Sequence, residues 1–80
     1  MDPLTWTREL VSSLSQQGGS LPVADGFQGT LPPRGNYELL DAVMKRNLVF
    51  ASWRRAADGA TGTWVLSWDR EGRLAACTSA

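Results

Sequence analysis

The sequence predicts an α+β domain: two short helices packed on one face of a three-stranded antiparallel β-meander, a two-layer sandwich in the order α–loop–α–β–β–β. Three observations predict it. Apolar residues recur at helical spacing over 3–16 and again over 37–46. From residue 48 onward the period changes from 3.6 to 2. Arg70-Glu71-Gly72 then stands where a three-residue hairpin loop with a left-handed glycine would close two strands. The 80 residues make one small domain, 1–80, with a hydrophobic share of 42% to supply a single core. A chain of this size buries only about 60% of its unfolded surface, so the core has to be used fully.

The first helix, 3–16, opens on Asp2, an N-cap acceptor, followed by Pro3, whose missing N–H costs nothing in the first turn. Trp6, Leu10 and Leu14 recur every four residues with Leu4 and Val11 beside them, giving one apolar stripe. Glu9, Ser12, Ser13 and Gln16 fall on the wet side, and Gly18-Gly19 ends the helix.

Residues 17–35 are rich in glycine and proline, yet Leu21, Val23, Phe27 and Leu31 are spread through them. A structureless loop of that length is uncommon in a compact domain. Two readings follow: a surface segment pinned by those apolar side chains, or a short strand. Asp25-Gly26 is a hairpin-type turn pair, and Pro22 confines any strand here to a sheet edge. Leu31-Pro32-Pro33-Arg34 lacks the second proline of a P-x-x-P ligand and reads as a stiff lead-in to the next element.

The second helix, 37–46, has Asn36 as its N-cap and Glu38 in its first turn, where the helix dipole favours an acid. Leu39, Leu40, Val43 and Met44 form its stripe, Lys45 and Arg46 sit at its negative end, and Asn47 supplies the left-handed residue after it.

Three strands follow, 48–55, 62–69 and 73–79. Pairing Asp69 with Arg73 sets Trp68 opposite Leu74, Leu66 opposite Ala76 and Trp64 opposite Thr78. Pairing Arg55 with Gly62 sets Trp53 opposite Trp64, Ala51 opposite Leu66 and Val49 opposite Trp68. All of these share one face, which receives the helices. The other face carries Phe50, Ser52, Arg54, Thr63, Val65, Ser67, Ala75, Cys77 and Ser79, and is left to water or to a partner.

The residues that are missing exclude several functions. With no histidine, the commonest general base and zinc ligand is absent. With one cysteine, Cys77, there is neither an intramolecular disulfide nor a cysteine-based metal cluster. No phosphate-cradling glycine motif occurs. Asp69 and Glu71 belong to a turn, and Cys77 has no base to activate it. The expectation is therefore a non-enzyme without catalytic residues, cofactor or metal. A small domain without disulfides reads as cytoplasmic, no secretory signal is evident, and the longest apolar run, Leu48–Ala51, is too short for a membrane. Seven arginines against one lysine suit a GC-rich bacterial or phage genome.

Formal charge is zero, with residues 1–40 at net −2 and residues 41–80 at net +2. Lys45, Arg46, Arg54 and Arg55 lie in one stretch with no acid between them, and Trp53 adjoins the last two. Arginine beside tryptophan is the composition of binding hot spots. The expected function is a small protein-binding module, an inhibitor, regulator or adaptor that occludes a partner protein through Trp53, Arg54, Arg55, Lys45 and Arg46. A homodimer is compatible with the same composition. The alternative is a nucleic-acid-binding regulator, in which the four cations meet phosphates and Trp53 stacks on a base. The balanced charge weighs against it.

Overall fold

The computed structural model describes residues 2–80, in which one helix and five strands follow in the order α1 (Pro3–Leu14), β1 (Val23–Gly29), β2 (Tyr37–Lys45), β3 (Leu48–Arg55), β4 (Thr61–Trp68) and β5 (Leu74–Ser79). The strands form one mixed sheet, β1-β5-β4-β3-β2. All pairs are antiparallel except β1 with β5, which is parallel. This corrects the expected fold in two places: the second helix is a strand, and the glycine–proline segment holds another, so a three-stranded meander becomes a five-stranded mixed sheet under a single helix.

Helix α1 forms as its sequence dictates. Asp2 accepts the Thr5 N–H at 2.9 Å, and Pro3 occupies the first turn. That same hydrogen bond holds the Asp2 carboxyl below its ordinary range. The far end is tied down by Arg34, whose guanidinium donates to the carbonyls of Gln16, at 2.7 Å, and Gly19. Gly35 donates its N–H to the Leu14 carbonyl at 2.8 Å. The open carbonyls of the last turn and the chain just beyond it are thus served by the segment leading into β2.

Residues 37–46 read as a helix because a β-bulge disguises their alternation. Leu39 pairs with Trp53 and Asp41 with Ser52, leaving Leu40 as an extra residue. Inward positions therefore run Tyr37, Leu39, Ala42, and the mixed spacing of two and three imitates a helical period. Arg46, not Asn47, takes the left-handed conformation, φ 58°, in the two-residue turn to β3. Asn36 caps nothing: its carbonyl accepts the Ala56 N–H at 2.9 Å and extends the ladder.

Strand β1 lies at the opposite edge of the sheet. Val23 pairs with Leu74 and Gln28 with Ala76, so the Asp25-Gly26 pair is a bulge within the strand and not a hairpin turn. Phe27 anchors it to the core. A Cβ on Gly29 would overlap the Cys77 carbonyl, so only glycine lets the two edge backbones approach this closely.

Among the meander strands the hairpin turn is as expected: the Asp69 N–H donates to the Arg73 carbonyl at 2.9 Å, and Gly72 has φ 79°. Trp68 faces Leu74 as expected, but the other registers differ. Trp53 faces Gly62, and Ala51 faces Trp64, two residues from the expected pairing. An even offset leaves every side chain on its expected face, so the inner face survives the error. Strand β5 is different: Ser67 pairs with Ala76 and Leu66 with Cys77, with Ala75 bulged out. A one-residue bulge exchanges the faces, turning Cys77 into the core where Ala76 was expected.

The core lies between α1 and the inner face. Leu10, Val11 and Leu14 of the helix meet Val49, Ala51, Trp53, Trp64, Leu66, Leu74 and Cys77. No helix among the described residues is long and apolar enough to cross a membrane.

Candidate protein-binding surface

Trp53, the expected binding aromatic, stands in the core. Alternation from buried Val49 and Ala51 carries it inward, and only 9% of it is exposed. Its indole stacks on Trp64 with ring centroids 5.1 Å apart, and Tyr37 sets an edge against both, at 5.3 and 4.9 Å. Tyr37 is fixed by its hydroxyl, which donates to the Pro33 carbonyl at 2.9 Å. The Trp53 indole N–H is buried without a hydrogen-bond partner among the described residues. The ring covers Gly62 so closely that a Cβ there would lie 2.5 Å from its Cζ2.

Arg55 leaves β3 on the same side. Its guanidinium sits 5.4 Å from the Trp53 ring centroid and bonds Asp58 at 3.1 Å. Asp58 also accepts the Ala60 N–H, and this bond first, then Arg55, holds its carboxyl below the ordinary range. Arg54 emerges on the opposite face and is paired with Glu38 of β2. Both arginines therefore have acidic partners, Glu38 across the sheet and Asp58 in the following loop.

Lys45 and Arg46 are at the other end of β3. Eight residues of strand, about 23 Å at 3.3 Å per step, separate them from the arginine pair. The structure thus does not gather the five residues into one surface. Lys45 and Arg54 share the helix-free face, Arg55 and Trp53 belong to the helix side, and Arg46 forms the turn.

What the structure does gather is an apolar patch, of which the sequence places only Phe50 and Val65 on the outer face; Val43 was expected on a helix stripe and Ala76 on the inner face. Val43, Leu48, Phe50, Val65 and Ala76 lie on the helix-free face, with Val43 and Leu48 exposed. An open cleft of about 280 Å³ runs beside them, lined by Gln28, Leu48, Val65, Ser67, Ala76 and Thr78. It is slightly smaller than the ~300–1,000 Å³ usual for small-molecule sites. At the other end of the face, Ser52 and Thr63 hydroxyls lie 3.5 Å apart beside the Arg54–Glu38 pair. The available signal was Phe50 and Val65 at alternating positions of two strands whose other face was already apolar.

Chemically the arrangement offers apolar contact area with charged groups at its margins. Cys77 is inside the core, and burial pushes its thiol up to about 11. Comparison of the chain with protein-family models, with curated proteins and with solved structures finds no match.

Proposed function

We propose that this chain is a non-enzymatic protein-binding module, an inhibitor, regulator or adaptor of a bacterial or phage system that works in the cytoplasm by covering a surface of a partner protein. One observation carries the reading: α1 packs on a single face of the sheet, and the other face presents the Val43–Leu48–Phe50–Val65–Ala76 patch to solvent. An apolar surface rimmed by polar groups is the usual form of a protein interaction site. The partner suited to it is a protein with an apolar patch and carboxylates at one margin, where Arg46 has no acidic partner among the described residues.

The nucleic-acid reading loses the support of Trp53, because a ring stacked on Trp64 in the core offers no free face to a base. The test is affinity capture with quantitative mass spectrometry, using the wild type, Val65→Glu, and Glu9→Lys on the exposed side of α1. A partner that is retained by Glu9→Lys and lost by Val65→Glu supports the helix-free face. A partner retained by Val65→Glu overturns it. Loss of binding that follows salt with about 0.9 log units per phosphate contact would return the chain to the nucleic-acid class.

A further inference from the structure

Strand β2 is an open edge, since among the described residues it pairs only with β3. Three of the exposed large hydrophobic residues, Leu40, Val43 and Met44, belong to it. Past the bulge at Leu40, the stretch Asp41–Lys45 is regular and contains neither proline nor glycine. The other edge is interrupted: β1 has a bulge at Asp25-Gly26 and ends at Gly29. Natural sheets blunt their edges with bulges, proline and charge, and a long regular edge with exposed apolar residues is a template for another strand.

The charges on this edge select the occupant. Asp41 and Lys45 lie on the same face of β2, two alternations apart, and neither has an ion-pair partner among the described residues. Antiparallel pairing about Val43 sets each residue against the one equally far on the other side of it. Asp41 then faces Lys45 of a second copy, Lys45 faces its Asp41, and Val43 packs on Val43. The same two-fold operation sets Ala42 opposite Met44. Residues directly opposite in such a ladder have Cβ atoms about 4.5–5.5 Å apart, within ion-pair reach, and opposite charges there are favourable. A strand with this pattern is complementary to itself in one antiparallel register.

We propose that the chain forms a homodimer by antiparallel β2–β2 pairing centred on Val43, joining two five-stranded sheets into one of ten strands with reciprocal Asp41–Lys45 pairs. The interface is isologous, as a two-fold dimer requires. Five paired residues per copy make it a small interface, so the dimer is of the weak class, with a dissociation constant on the order of tens of micromolar. It takes Val43 from the margin of the helix-free patch and leaves Phe50 and Val65, one and two strands in from the edge, uncovered, so Val65→Glu does not affect it.

Sedimentation velocity from about 5 to 500 μM tests it, with the fold of each variant checked by circular dichroism. The wild type is expected to pass from monomer to dimer across this range. Asp41→Lys alone and Lys45→Asp alone place like charges opposite each other and weaken the dimer by roughly tenfold or more. Mixing these two variants restores association, because a chain with two lysines then meets a chain with two aspartates in the same register. The double variant Asp41→Lys/Lys45→Asp associates like the wild type. A wild type that stays monomeric throughout, or a dimer indifferent to both single variants, overturns the proposal. Failure of the mixture to associate more than either variant alone overturns the register.

Discussion

The indole N–H of Trp68, at the end of β4, donates to the buried hydroxyl of Thr7 in the middle of α1, 3.1 Å away. Thr7 in turn donates to the Pro3 carbonyl at 2.7 Å. The bond spans most of the chain and fixes how the helix sits on the sheet. Trp6 completes the contact with its ring centroid 6.0 Å from that of Trp68. Thr7→Val keeps the shape and deletes the acceptor, leaving the Trp68 N–H unpaired. The expected cost is about 1–3 kcal/mol in urea unfolding, whereas Thr7→Ser, which keeps the hydroxyl, loses less. Equal stabilities for the two variants would show that the hydroxyl contributes nothing.

Gly62 is the floor under Trp53. Because any Cβ there meets the indole at 2.5 Å, Gly62→Val must displace the ring from its stack on Trp64. The expected loss is about 1–3 kcal/mol, with a changed near-ultraviolet circular dichroism signal from the disturbed tryptophan pair. A variant with native melting and an unchanged aromatic spectrum would place Trp53 elsewhere.

Cys77 makes stability depend on alkaline pH. The thiol has its ordinary value of 9.0 when exposed in the unfolded chain and about 11 in the fold. Its contribution is complete below pH 9 and is lost as pH rises from 9 through 11, because only the unfolded chain readily forms the thiolate there. Two pH units correspond to about 2–3 kcal/mol. Melting curves of the wild type and Cys77→Ala between pH 8 and 10.5 isolate this term: the wild type should lose stability more steeply. Parallel curves would mean an accessible thiol.

Arg54 and Arg55 differ by face, and their variants should differ accordingly. Arg54→Glu sets two acids together beside Glu38 on the helix-free face and is expected to weaken partner binding, with under about 1 kcal/mol lost from folding. Arg55→Glu removes the contacts with Trp53 and Asp58 on the helix side and should leave partner binding unchanged. Isothermal calorimetry with the captured partner separates them. If Arg55→Glu were the one to weaken binding, the docking side would be the helix side.

The sequence makes α1 legible because its signals are local: Asp2, Pro3 and a four-residue repeat of apolar side chains. The inner face of β3 and β4 is legible for a more forgiving reason, since a register error of two residues moves partners without moving faces. What hides β2 and the true face of Cys77 is in each case a single bulged residue, Leu40 or Ala75. Such a residue breaks alternation without leaving a proline or glycine to mark it. Strand β1 is hidden because its partner lies at the other end of the chain and its own sequence is punctuated by turn residues. At the candidate surface, the Arg54–Glu38 pair depends on β2, whose bulge gives its sequence a helical period. Asp58, three residues past Arg55, is a partner that the sequence spacing alone makes visible.

The parallel pairing of β1 with β5 gives the molecule a particular order of assembly. On the ribosome, α1 and the β2–β3–β4 ladder can form in sequence as they emerge, but β1 has only β5 to bond with. Until residues 74–79 are free, Phe27 has no seat, Leu66 has no strand on its outer side, and β4 is a bare edge. Closure therefore waits for the final strand and has to bring together the two segments farthest apart in the sheet-forming chain, a slow step by its topology. A nascent chain stalled before Leu74 would present an unpaired Trp64–Trp68 edge to its neighbours, the kind of species that chaperones hold.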